Sequence, residues 1–150
     1  MKVSRRKALV VDLGAGEKVR HIDGTIPCDN NYRDCKYVNA RGPLPWEDGE
    51  VNIVMSTAAF RHFWDTEDEL VAVLNECYRV LSPSGMLIVK DYIEKYDWDT
   101  DKYVTIDAAW MRDVWERCLK RSNFAGMQEG TFDDVSETYV IMQRKNDELL

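Results

Sequence analysis

The apolar residues fall into short runs separated by polar turns, and the spacing alternates between strand and helix periods. Ala8, Leu9, Val10 and Val11 form a continuous β-prone run that ends at Asp12 and enters the tight turn Leu13-Gly14-Ala15-Gly16. An unbroken run of this kind is the pattern of a parallel strand buried on both faces. Shorter runs follow at 25–28, ending at Asp29, and at 35–38, ending at Asn39. Pro27 places the first of these near a sheet edge or a strand end. A polar, turn-rich piece spans 41–49, and Val51 to Met55 form another strong strand pattern. Residues 66–81 give the clearest helix. Leu70, Val73, Leu74, Cys77, Val80 and Leu81 share one face, and Thr66 with Glu69 forms a capping box at its start. The turn Ser82-Pro83-Ser84-Gly85 stops it. A buried strand is predicted at 86–89, ending near Lys90 and Asp91. A second helix spans 107–121 with Met111, Val114, Trp115 and Cys118 inward, and Trp110 is also assigned to the core. Strands at 126–129 and 138–143, separated by a turn at Asp133-Asp134, are expected to pair as an antiparallel hairpin. The residues from Asn146 onward are expected to fray.

Strands joined by helical crossovers imply an open α/β sheet, whose ligands bind beyond the carboxyl ends of the strands. Those ends carry Asp12, Asp29, Asn39, Ser56 and Asp91, and most are polar. The 150 residues are read as a single domain. The net charge of −7 argues against nucleic acid as the main partner, because that affinity rests on Lys and Arg contacts. Two basic clusters, Lys2, Arg5, Arg6 and Lys7, and Arg117, Lys120 and Arg121, read as solvated surface. The four cysteines have neither CxxC nor zinc-ligand spacing, so no metal is expected. They read as core residues of a cytoplasmic protein. No apolar stretch is long enough to span a membrane, and the basic N-terminus does not continue into a cleavable signal pattern.

Gly14-Ala15-Gly16 follows a buried strand and precedes a carboxylate on the next one. A dinucleotide site needs a third glycine and a full helix to meet the pyrophosphate. Val19 occupies that third position, Glu17 repels phosphate, and the stretch 13–25 is too short for a crossover helix with two loops. A cofactor without phosphates loses nothing by these absences. Asp29 suits the two hydroxyls of a ribose, because an ionised acceptor strengthens each hydrogen bond; it also suits the simple turn Asp29-Asn30-Asn31. Asn39 suits an adenine edge or, equally, a turn.

On these residues the chain resembles the class I S-adenosylmethionine-dependent methyltransferases, as a compact type-11-like member. The run 8–16 (ALVVDLGAG) is similar to the family's first motif. The run 43–63 (PLPWEDGEVNIVMSTAAFRHF) resembles its "LPF-x-D-x-S-F-D" entry into the fourth strand and the segment after it. The run 76–90 (ECYRVLSPSGMLIVK) resembles "E-x-x-RVLKPGG-x-l-i". The resemblance implies a Rossmann-like, mostly parallel seven-stranded sheet with an antiparallel C-terminal hairpin, here with shortened first helices. It implies S-adenosylmethionine as cofactor. Asp12 would lie near its amino acid end, with Gly14, Ala15 and Gly16 forming the turn beside it. Asp29 would hold the ribose, Asn39 and Ala40 would flank the adenine, and Ser56 and Thr57 would meet the methionine part. The family's "EH" pair reads Arg61-His62 here, and the first glycine of "PGG" is Ser84.

Methyl transfer from a sulfonium needs in-line positioning more than acid–base help, so no catalytic residue stands out. His62, Asp91 and Tyr92 are the candidates. Tyr96, Trp98 and Tyr103 lie among Asp97, Asp99 and Asp101, a composition that suits a cationic group or an aromatic cover for the sheet edge. The acceptor is unidentified, and the few residues before the first strand leave no N-terminal cap, so a macromolecular acceptor is favoured. The alternative is a degenerate, non-catalytic binding or scaffold member of the family. The loss of helices predicts an uncovered apolar sheet face, and hence a homodimer.

Overall fold

The structure, a computed structural model, describes residues 8–146, except for the side chain of Lys95. The Lys2, Arg5, Arg6, Lys7 cluster and, beyond Asn146, the tail expected to fray lie outside the described residues. The first five strands are β1 (Val10–Leu13), β2 (Ile26–Asp29), β3 (Lys36–Tyr37), β4 (Val51–Thr57) and β5 (Leu81–Tyr92). A hairpin, β6 (Glu94–Asp97) and β7 (Lys102–Thr105), follows, and β8 (Glu129–Asp133) and β9 (Thr138–Arg144) close the chain. The helices are α1 (Glu67–Val80) and α2 (Ala108–Arg121). The sheet is seven-stranded in the order β3-β2-β1-β4-β5-β9-β8. Its first five strands are parallel, and β9 enters antiparallel between β5 and β8. This is the mostly parallel α/β architecture expected from the sequence, with the shortened first helices. Between β1 and β2 there is a single 3-10 turn at Lys18–Arg20, and between β2 and β3 no helix at all.

Both long helices pack on one face. The inward stripe of α1 comprises Leu70, Val73, Leu74, Cys77 and Val80, and that of α2 comprises Met111, Val114, Trp115, Cys118 and Leu119. They meet Val11, Leu13, Val54, Leu87, Val89 and Ile141 in one core. The capping box of α1 forms, with the Thr66 hydroxyl accepting from the Glu69 N–H at 3.2 Å and the Glu69 carboxylate accepting from the Thr66 N–H at 3.2 Å. Arg117 and Arg121, read from sequence as solvated, pair with Glu67 and Asp68 of α1 across the helix–helix seam. On the opposite face, the alternate positions Ile53, Met55, Met86, Ile88, Val140 and Met142 stand in register and stay half-buried.

Arg79 ties the "LPW" segment to α1. Its guanidinium donates to Glu76 at 2.6 Å, Asp48 at 2.8 Å, and the carbonyls of Trp46 and Leu44 at 2.9 and 3.0 Å. Glu76 in turn accepts from the Leu44 N–H at 2.8 Å. These charge-assisted bonds hold a helix-free connection against the core, where Leu44 and Trp46 are buried.

Four local expectations are revised. The helix does stop at Leu81, but 82–85 is not a free turn: it lies within β5 as an irregularity in the pairing with β4 between Val51 and Ile53. The eighth strand begins at Glu129 rather than Gly126, because its register is dictated by pairing with β9. Trp110 is half exposed, since it sits in the first turn of α2 off the buried stripe. Cys35 is only half-buried, whereas Cys28, Cys77 and Cys118 are buried; all four are free thiols.

Gly85 has backbone on two sides. A Cβ there would lie 2.9 Å from the Ser82 carbonyl oxygen and 3.0 Å from that of Asn52. Its neighbour Ser84 is exposed and tolerates a side chain. Gly85→Ala is therefore expected to lower stability by about 1–3 kcal/mol, while Ser84→Ala stays within about 0.5 kcal/mol. Equilibrium urea unfolding checks both, and an unshifted midpoint for Gly85→Ala would contradict this packing.

Candidate functional site

The carboxyl ends of β1 and β2 and the segment after β4 surround a cavity of about 460 Å³, within the range of small-molecule sites. The turn after β1 is closed by its own amides. The N–H groups of Gly14 and Ala15 both donate to the Cys28 carbonyl, at 2.8 and 3.0 Å. The Gly16 N–H donates to the Asp29 carboxylate at 3.0 Å. Both turn glycines have positive φ, 71° at Gly14 and 69° at Gly16, which L side chains rarely adopt. Gly14 is also sterically required, because a Cβ there would stand 2.4 Å from the Ala59 Cβ. The Gly14 contact is thus made by the protein's own segment after β4, and the guanidinium of Arg20 lies above Gly16.

Asp29 stands at the cavity wall. Each of its oxygens accepts one backbone N–H, from Gly16 and from Asn31, both at 3.0 Å. A carboxylate has lone pairs beyond these two, so it retains acceptor capacity for a ligand diol. Asn39 also lines the cavity; its carbonyl oxygen accepts from the Arg41 N–H at 3.0 Å, which leaves its NH₂ as a donor. Leu13, Val38 and Phe63 supply apolar wall. Asp12 is buried behind the turn, and its Oδ1 has no hydrogen-bond partner. Desolvation pushes its pKa up to about 6, against the opposing pull of His21 and Arg20.

Of the positions singled out from the sequence, Gly14, Gly16, Asp29, Asn39, Ala40 and His62 meet at this cavity. Ala15 is buried in the same turn and does not line it. The Ser56 hydroxyl donates to the Leu13 carbonyl at 2.9 Å, which fastens β4 to β1. Thr57 is exposed and pairs in register with Lys90. Beyond it the chain turns at Ala58, a non-glycine residue with φ 57°, so that Ala58 and Ala59 line the cavity. Asp91 is buried and committed: its carboxylate accepts from the Arg61 guanidinium, the Arg61 N–H at 2.9 Å and its neighbour's N–H at 2.8 Å. Tyr92 is half exposed, with the Arg61 guanidinium 5.8 Å from its ring centre. His62 is open to solvent at the cavity mouth yet crowded by its neighbours. That crowding, followed by Arg61, lowers its pKa and favours the neutral ring.

Arg20, Tyr32, Arg41, Ala58 and Phe63 also line the cavity and were not anticipated. Arg41 had one local signal, its place two residues after Asn39. Its orientation comes from distant partners: Asp65 at 2.9 Å, Glu69 at 3.3 Å and the His62 carbonyl at 3.0 Å. Among the described residues no His, Cys, Asp and Glu side chains group as a metal site. No helix there is long and apolar enough to cross a membrane.

Solved structures share this fold at low sequence identity. A chain of the complex between the Haloferax volcanii Trm112 methyltransferase activator and a methyltransferase is 17% identical with a TM-score of 0.59; the match covers 93% of this chain and 83% of that one. The trans-methyltransferase CalH, in complex with SAH, is 15% identical with a TM-score of 0.61 over 91% of this chain and 51% of that one. An S-adenosylmethionine-dependent methyltransferase from Mesorhizobium loti is 12% identical with a TM-score of 0.62, covering 92% and 91%. No curated protein matches the chain. The family model described as "Methyltransferase domain" matches residues 12–89, just over half of the sequence and the part that carries the glycine turn, Asp29 and β4. The chain belongs to the methyltransferase domain family.

Proposed function

We propose that residues 1–150 act as one domain that binds S-adenosylmethionine and transfers its methyl group to an acceptor, in the cytoplasm. The observation that carries this reading is the Asp29 carboxylate, held on the glycine turn at the wall of the cavity. All three turn amides are engaged within the protein, so none is left to receive a pyrophosphate. The residues suit a nucleoside that lacks phosphates. Asp29 would hold the ribose hydroxyls, and Asn39 and Ala40 would flank the base. Asp12, with its unpartnered buried oxygen, would face the ammonium of the amino acid end. Bound S-adenosylmethionine supplies an electrophilic methyl group on a sulfonium. The protein's task is then to orient the acceptor and exclude water. His62, kept neutral at the cavity mouth, would take up a proton from an acceptor. Asp91 holds Arg61, and Arg61 holds Tyr92, so these two act by positioning the segment that carries His62.

The acceptor is proposed to be macromolecular, because the described residues at the cavity mouth belong to turns and short 3-10 segments and not to a covering helix. The half-buried row Ile53, Met55, Met86, Ile88, Met142 supports a homodimer through the open sheet face. Sedimentation at micromolar concentration is expected to give a dimer that Ile88→Lys dissociates; a monomeric wild-type chain would remove this part of the proposal.

Calorimetric titration is expected to give micromolar affinity for S-adenosylmethionine and S-adenosylhomocysteine. Asp29→Ala should weaken it by about 10- to 100-fold, the worth of charge-assisted bonds. Binding of neither ligand at millimolar concentration would favour the non-catalytic scaffold reading, which the filling of the Gly14 face by Ala59 and Phe63 already suits.

The pH dependence follows from Asp12. Its folded pKa lies above that of a free aspartate, so the protonated form favours the free fold. That contribution is complete below the unfolded pKa and is lost as pH rises through about 6. A ligand ammonium needs the ionised form. Affinity for S-adenosylmethionine should therefore rise about tenfold between pH 5 and pH 7. Asp12→Asn should flatten this rise and stabilise the unliganded fold above pH 6. An unchanged slope in the variant would place the ammonium elsewhere.

A further inference from the structure

Between β5 and α2 the chain builds a second, two-stranded sheet from β6 and β7 that stands apart from the main one. Its register places Tyr96 opposite Tyr103, and Glu94 opposite Thr105 on the same face. Trp98, at the start of the connecting turn, packs edge-on against Tyr96 at 4.6 Å between ring centres, and Tyr103 does so at 5.4 Å. The three rings thus form one surface cluster, yet Trp98 is 85% and Tyr103 61% exposed. They do not cover the edge of the main sheet.

Exposure of this much aromatic area is costly unless something docks there, and the surrounding charge says what. Asp97, Asp99 and Asp101 lie at the end of β6 and in the connecting turn, with Lys102 opposite Asp97, and none of the three makes an ion pair with a described side chain. Elsewhere the protein matches rings to its own cations: Arg61 over Tyr92, Arg112 over Phe132 and Lys145 over Tyr78. No described cation lies over Tyr96, Trp98 or Tyr103. Aromatic faces next to a turn rich in carboxylates attract ammonium and guanidinium groups by both quadrupole and charge.

The hairpin is also coupled to the cavity. Its base is fixed by Ile93, which is fully buried, accepts from the Ile106 N–H at 3.3 Å and donates to the Glu137 carbonyl at 2.6 Å. Its first residue, Glu94, pairs with Arg61 at 3.4 Å, and the next residue along, His62, lines the cavity.

We propose that the β6–β7 hairpin is a docking platform for a lysine- or arginine-rich peptide segment of a protein partner. Such a segment, seated on Trp98 and Tyr103, would run toward the cavity mouth at His62. The presentation of an acceptor there rests on the methyltransferase reading above; the docking does not.

The test is fluorescence anisotropy with the full chain and a labelled peptide of eight lysines spaced by glycine, against a glutamate counterpart. Micromolar binding of the lysine peptide alone is expected, weakening as salt is raised. Trp98→Ala should weaken it about fivefold, and the Asp99→Asn, Asp101→Asn pair by at least as much. Both sites are exposed, and asparagine tolerates the positive φ of 54° at Asp101, so the variants should fold. Val135→Ala, equally exposed at the β8–β9 turn, is the control and should bind as wild type. No binding at millimolar peptide, equal binding of the glutamate peptide, or variants that bind like wild type would each overturn the proposal. The same samples are titrated with S-adenosylmethionine. Peptide binding without cofactor binding would retain the platform and sink the methyltransferase reading, and the converse would do the opposite.

Discussion

The glycine turn after β1 is the constraint on which the rest depends. Two consecutive amides converge on the Cys28 carbonyl and a third on the Asp29 carboxylate, so the end of β1 is fastened directly to the end of β2. In a parallel sheet this connection is ordinarily made through a crossover helix. Here one 3-10 turn suffices because the turn itself supplies the closure. The positive φ values at Gly14 and Gly16 are what allow the backbone to fold back so tightly. The same bonds set Asp29 at the cavity wall, so the feature that shortens the fold also fixes a carboxylate there.

Economy at the first crossovers has a structural consequence on the far side of the sheet. Both helices lie on one face, and their seam is closed by Arg117–Glu67 and Arg121–Asp68. The other face is left with apolar residues in register across β4, β5 and β9. Sheets in this fold class are covered on both faces; the described residues leave this row half-buried, and the homodimer proposed above would cover it.

Arg61 joins the hairpin to the cavity. Its guanidinium meets the buried Asp91 carboxylate, Glu94 at the base of the hairpin and the ring of Tyr92, while the following residue faces the cavity. A charge paired with a fully buried carboxylate holds its position firmly, because breaking the pair would strand that carboxylate. The segment after β4, the end of β5 and the hairpin are therefore tied together through one guanidinium, the route by which the proposed docking on the hairpin would reach the cavity mouth.

The sequence by itself determined the runs of β1 to β5 and β9, both helices with the capping box of α1, and the glycine turn, and it singled out Asp29, Asn39 and Ala40, which the fold brings to one cavity. These signals are local: they arise from periodicity, turn chemistry and spacing within a few residues. Gly85 was legible as a retained glycine, but its reason, the carbonyls of Ser82 and Asn52, was not. Tertiary structure alone decided that Asp91 is committed to Arg61, that Ala58 and Ala59 replace Ser56 and Thr57 at the cavity, and that Arg41 reaches it through Asp65 and Glu69. It also decided that 94–105 pairs with itself to display its rings instead of covering the sheet. Each of these depends on contacts between residues far apart in the chain or on the competition of one surface for another, and no window of sequence contains both partners.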